Sequence, residues 1–175
     1  LPVGQRSLLN CSGCFLPPDY GFELARPGAA RYGLNPTPDQ PNPMRPVVGL
    51  SAPILQTRTL TKGDTVGYGS SWTAPDEARV ATLALGYADG LHRALSNAGT
   101  VYIAGTPCPI IGRVSMDLIS VDVTHLREDQ SFPGGRAELI GPHQSVDELA
   151  QAAGTIGYEV LAGLGHRFAR TYLDQ

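Results

Sequence analysis

Three short segments hold the residues best suited to chemistry. The first is Thr65-Val66-Gly67-Tyr68-Gly69-Ser70-Ser71-Trp72, the second Gly86-Tyr87-Ala88-Asp89-Gly90, and the third Gly112-Arg113-Val114-Ser115-Met116-Asp117. Each sets a polar tip at the end of an apolar run. Tyr68 stands between two glycines, whose backbone freedom lets a phenol enter a cleft closely. A phenol with an ordinary pKa near ~10 works as a base at neutral pH only where cations or hydrogen bonds stabilise its anion. Arg93, six residues after Tyr87, is a candidate for that cation. Outside any such setting Tyr68 is simply a turn tyrosine.

The other reactive residues are fewer. The cysteines are Cys11, Cys14 and Cys108. Cys11-Ser12-Gly13-Cys14 has redox or zinc spacing, but no second pair and no nearby histidine accompanies it, so thiols in a reducing cytosol are expected and no metal. The single lysine, Lys62, lies in the polar turn Thr61-Lys62-Gly63-Asp64 against twelve arginines. A net charge of −3 gives no reason to expect nucleic acid or an anionic membrane as partner. No apolar run approaches the ~20 residues of a membrane span. No signal peptide is visible, and the missing initiator Met suits a fragment or a processed product.

The elements that must position these residues read as mostly strands. The chain has 175 residues, enough for one core plus an appendage. Four prolines between Asn35 and Pro43 hold that run extended and mark a boundary. After it, Val47–Leu60, Arg79–Leu85, Thr100–Ile103, Pro109–Ile111, Leu118–Val123 and Arg136–Ile140 read as strands, with Ala104-Gly105-Thr106-Pro107 closing a hairpin. Ser145-Val146-Asp147-Glu148 is a capping box, predicting a short helix that stops at Gly154. Residues 158–164 suit a second helical turn, and 167–172 alternate like a closing strand. Residues 1–45 cannot bury much alone and look like the last strand-and-loop units of something larger, such as a (β/α)8 barrel. The expected fold class is therefore mainly β: a β-barrel or sandwich-like domain with a short helix over 46–175, preceded by a barrel remnant over 1–45.

Four motifs in order, Gly67-Tyr68-Gly69, Gly86-Tyr87-Ala88-Asp89-Gly90, Gly112-Arg113-x-x-Met116-Asp117 and Gly157-Tyr158-Glu159, give nearly the whole chain a resemblance to the C-terminal half of alanine racemases. That family is a homodimer using pyridoxal 5'-phosphate, with an N-terminal barrel and a C-terminal β-domain that covers the partner's barrel mouth. It works in the bacterial cytoplasm and supplies D-alanine for peptidoglycan. The resemblance implies that Tyr68 exchanges a proton on one face of the substrate α-carbon, while a barrel lysine, absent from this chain, works on the other. It gives Met116 a backbone contact to the substrate carboxylate. Tyr87 and Tyr158 would line the mouth of the site, with Tyr158 also reaching the cofactor phosphate, and Arg93 would lie near the catalytic tyrosine.

In the N-terminal piece, the resemblance sets Arg26 against the cofactor's ring nitrogen, which an arginine leaves unprotonated because it donates and does not accept. Gly28 and Ala29 would offer backbone N–H groups to the phosphate. One departure stands out. Cys11 follows Asn10 where the family usually has a phosphate-binding serine, so either Ser12 takes over or binding rests on backbone groups and Tyr158. The cofactor needs a lysine for covalent attachment, and Lys62 has no such surroundings, so the fragment alone is expected to be inactive. Two alternatives remain: the β-domain of a related barrel-type amino-acid decarboxylase, and a non-catalytic β-barrel binding module. Decarboxylation needs no second base, and a binding module leaves 1–45 unexplained.

Overall fold

The structure, a computed structural model, describes residues 4–173. The chain divides into two compact units, 1–48 and 49–175. The second is built on a closed barrel of six strands, and the chain is mainly β. The strands are β1 (Leu50–Leu60), β4 (Ala78–Leu83), β5 (Thr100–Ile103), β6 (Thr106–Ile111), β7 (Ile119–Asp122) and β8 (Arg136–Ile140). A separate two-stranded ribbon joins β2 (Thr65–Val66) to β3 (Trp72–Thr73).

The barrel runs β1-β4-β7-β6-β5-β8 and closes by β8 pairing back on β1, every neighbour antiparallel. Alternation along the strands turns Val101 and Ile103, Ile119 and Val121, and Ala137 and Leu139 into the interior, all at most 2% exposed. Closure leaves no free edge in the ring, the usual liability of a small sheet. β6 carries Pro107 and Pro109, each paired with β5, whereas β6 meets β7 only at Ile110 and Ile111. The prolines thus lie where a second row of backbone donors is not required.

The hairpin between β5 and β6 turns on Ala104 and Gly105, both at positive φ (50° and 75°), as a two-residue turn of matching twist demands. β6 starts at Thr106, so the hairpin is tighter than the four-residue connection the sequence suggests. Two helices follow β8: α1 (Val146–Ala152) and α2 (Gly157–Gly163). Ser145 caps α1 reciprocally with Glu148, and Gly154 ends the turn at φ +70°. Residues 167–172 form no strand, against the alternation read there. The barrel is already closed by β8, so that segment has no edge to join, and it is held by side-chain bonds instead.

The first unit has no strand among its described residues, only short 3-10 turns at Gly13–Phe15, Pro18–Tyr20 and Ala29–Tyr32. Two extended stretches lie side by side in it: Leu24 N–H donates to the Arg6 carbonyl at 3.2 Å and Arg26 N–H to the Leu9 carbonyl at 2.9 Å. Both partners advance in the same direction along the chain, which is the parallel sense.

Candidate active site

Tyr68 opens a 3-10 turn, Tyr68–Ser70, at the tip of the β2–β3 ribbon. Val66 and Trp72 root the ribbon on a small core with Leu60, Ala74, Ala78, Val80 and Ile111. Gly67 at φ +79° and Gly69 at φ +68° make the turn possible. A Cβ on Gly67 would stand 2.8 Å from the Arg113 backbone nitrogen, and one on Gly112 would stand 2.9 Å from the Val66 carbonyl oxygen. The two glycines let the tyrosine turn seat directly on the Gly112–Arg113 backbone. The result is a phenol 73% exposed on a firmly held support.

Asn97 ties this seat to a third loop. Its side-chain oxygen accepts from Gly112 N–H at 2.6 Å, and its amide donates to the Ser71 carbonyl at 3.1 Å. Next to it, Ser96 Oγ accepts from Val114 N–H at 3.0 Å and donates to the Arg93 carbonyl at 2.6 Å. Arg93 therefore belongs to the loop cluster that carries Tyr68. The guanidinium packed nearest the tyrosine turn is that of Arg113, 3.5 Å from a Cβ position on Gly69.

The Tyr87 and Met116 loops are joined as closely. Tyr87 N–H donates to the Ser115 carbonyl at 3.0 Å and Ala88 N–H to the Met116 carbonyl at 2.9 Å. A Cβ on Gly86 would fall 2.2 Å from that same carbonyl oxygen, so only glycine permits the approach. Asp89, buried, accepts from Gly86 N–H at 2.9 Å and closes the turn. Tyr158 lies in the first turn of α2, and the end of that helix packs on the same loop: a Cβ on Gly90 would meet the Gly163 carbonyl oxygen at 2.2 Å. Tyr87, Met116 and Tyr158 are all solvent-exposed. Tyr68, Tyr87, Arg93 and Met116 thus ride on loops that brace one another, and the helix that carries Tyr158 packs on the Gly90 end of them.

The remaining candidates belong to the first unit. Arg26 donates to the Ser7 carbonyl at 3.1 Å and also to the Ser7 hydroxyl. Cys11 is buried, and its Sγ accepts from Gly28 N–H at 3.0 Å. The thiol thus occupies the very backbone donor that the resemblance gives to an anion. Ser12 is exposed and caps nothing with its side chain. Ala29 begins the turn that follows Gly28. Lys62 is 75% exposed and paired with Asp76 at 3.1 Å, a solvated surface lysine.

Sequence reasoning missed Asn97, Ser96 and Arg167. Asn97 has φ +56°, and neither its conformation nor its partners leave a pattern in the sequence. Arg167 was absorbed into the expected strand; it pairs with Asp117 at 2.7 Å and Asp89 at 3.4 Å. Away from these loops, burial and the Asp122 charge push the Cys108 thiol up to about 11. With His125 Nε2 4.0 Å away, it stays a protonated core residue and not a nucleophile.

Comparison with known proteins gives a consistent picture. The family profile "Alanine racemase, C-terminal domain" matches residues 47–172. An alanine racemase of Acidiphilium cryptum is 52% identical over 97% of this chain and 47% of its own length. A catabolic alanine racemase of Mesorhizobium japonicum is 51% identical over 99% of this chain and 45% of its own. Among solved structures, alanine racemase from Bartonella henselae with covalently bound pyridoxal phosphate superposes with a TM-score of 0.93 at 43% identity, covering 99% of this chain and 48% of that one. The chain thus spans about half the length of the relatives it matches. The profile covers most of the chain: it belongs to the alanine racemase C-terminal domain family.

Proposed function

We propose that this chain is the C-terminal part of a pyridoxal-phosphate-dependent alanine racemase, with Tyr68 as the acid–base group on one face of the substrate α-carbon. The observation that carries the reading is the Tyr68 turn itself. Two left-handed glycines seat an exposed phenol on the Gly112–Arg113 backbone, an arrangement with no value to the core. Inverting a stereocentre requires one proton to leave one face as another arrives on the opposite face. The second group, a lysine, would come from the half of the protein this chain does not contain. The parallel pairing of residues 6–9 with 24–26 supports reading 1–45 as the end of a (β/α)8 barrel and 46–175 as the β-domain.

The residues present fit part of a pyridoxal phosphate site. Arg26 is braced by Ser7, and Gly28 opens a turn whose backbone donors suit a phosphate. Ala29 and Ser12 would add to the set, Cys11 would have to release Gly28 N–H, and the resemblance alone gives Tyr158 a contact to the phosphate. Lys62 does not fit covalent attachment, paired as it is with Asp76 in solvent. When bound, the cofactor supplies the conjugated system that lets the α-proton of an amino acid leave. This chain's residues would then hold the substrate carboxylate at the Met116 main chain, narrow access with Tyr87 and Tyr158, and move the proton at Tyr68 Oη. Arg93 would stabilise the tyrosine's neighbourhood electrostatically.

The enzyme would act in the bacterial cytoplasm as a homodimer and supply D-alanine for peptidoglycan. The similarity to a catabolic racemase favours a second, catabolic role by the same chemistry. Co-expression with the N-terminal half of the Acidiphilium cryptum racemase tests the assignment. The pair is expected to racemise L-alanine, and this chain alone is not. A complex that forms and stays inactive, or racemisation by this chain alone, would overturn it.

A further inference from the structure

Arg167 has no role in any of the motifs above, yet it stands where two of the site loops meet. Its Nη2 lies 2.7 Å from Asp117 Oδ1, beside Met116, and its Nε lies 3.4 Å from Asp89 Oδ1, in the turn that presents Tyr87. Asp89 spends its other oxygen on Gly86 N–H. The guanidinium therefore joins the 86–90 turn to the 115–117 loop from outside, while backbone bonds from Tyr87 and Ala88 join them from inside. The segment that carries Arg167 is itself fixed: Gly165 N–H donates to the Asp89 carbonyl at 3.3 Å, and Arg170 donates to the Gly165 carbonyl at 3.0 Å.

The charges explain why a cation is required. Asp89 is a buried carboxylate, and the half-exposed Asp117 pairs with the same guanidinium. Without that positive charge the two carboxylates would lose the cation they share. Arginine suits the position because its planar guanidinium bonds Asp117 on one edge while its charge stays beside Asp89.

We propose that Arg167 is a positioning residue that fixes the Met116 peptide against the Tyr87 turn, and so sets how tightly the site holds a substrate carboxylate. The second half of this statement rests on the racemase reading; the first half does not. Two measurements keep them apart. In this chain, amide exchange of Tyr87 and Ala88 is compared between wild type, Arg167→Met and Arg167→Lys. Those amides should exchange about tenfold faster in Arg167→Met, with Arg167→Lys in between and barrel amides such as that of Val101 unchanged. Unchanged exchange at Tyr87 and Ala88 in a folded Arg167→Met chain, or an equal rise throughout the barrel, would overturn the positioning role.

In the racemase reconstituted with its barrel half, Arg167→Met should raise KM for alanine about tenfold and leave kcat within about threefold, since proton transfer at Tyr68 is untouched. Lost loop protection with an unchanged KM would leave the positioning role standing and overturn the carboxylate role given to Met116. A fall in kcat with KM unchanged would contradict the inference, because Arg167 would then act on the chemical step.

Discussion

Tyr68 shows how little of a turn's support is visible in the residue the turn presents. The two glycines beside it are plain in the sequence, and their left-handed conformation was foreseeable. What they are for was not: Gly67 is glycine because the Arg113 backbone nitrogen lies 2.8 Å from where a Cβ would go. Gly67→Ala should therefore destabilise the domain by about 1–3 kcal/mol through strain and overpacking, and tilt the tyrosine turn off its seat. A thermal melt reads the first effect. An unchanged melting temperature would mean that the ribbon slides away without cost. Asn97 and Arg167 escaped the sequence for a related reason. Their partners lie in other loops, from 15 to 78 positions away, and no local period connects them.

At the scale of elements, the strands and α1 were legible because each rests on a local rule. Alternation marks β5, β7 and β8, and the serine–glutamate spacing marks α1. The elements that were misread depend on what lies beside them. Residues 167–172 alternate as a strand does, but a ring already closed by β8 pairing on β1 offers no partner. The β2–β3 ribbon has only two residues per strand, too few for any pattern. The capping box gives a test with a definite sign. Bonds from the Ser145 backbone N–H and hydroxyl hold the Glu148 carboxyl below its ordinary 4.5. A carboxyl depressed in the folded state contributes stability above its unfolded pKa and loses it as pH falls through the folded value. Glu148→Gln should thus cost only a few tenths of a kcal/mol near neutral pH, because Glu148 is exposed and glutamine still fits the capping-box position, and the difference from wild type should shrink below about pH 4. Urea titrations at both pH values check this, and a gap that widens in acid would contradict it.

For the whole molecule, closure of the β-barrel decides what can stand alone. Six antiparallel strands form a complete ring within 49–175, and residues such as Ile54, Leu83, Ile103 and Leu139 are sealed inside it. A chain of residues 49–175 should melt cooperatively, within a few degrees of the full chain. Loss of cooperativity would show that the first unit completes the core. That first unit exposes Leu8, Phe15, Leu16, Phe22 and Leu24, which suits the barrel remnant proposed above. The proline run ends a few residues before the division at 48/49, and the proposed place of this unit in a larger barrel draws on the parallel pairing of two short stretches.

In the proposed racemase, Tyr68 moves a proton on one face of the substrate and another group works on the other. This is tested most directly by α-deuterium wash-in, measured separately for L- and D-alanine, in the reconstituted racemase carrying Tyr68→Phe. The substitution keeps the ring and removes the hydroxyl. Racemisation should fall by about 10²–10⁴-fold, while exchange with solvent survives from one enantiomer and is lost from the other. Equal, small losses for both enantiomers would contradict the account and leave Tyr68 a turn residue.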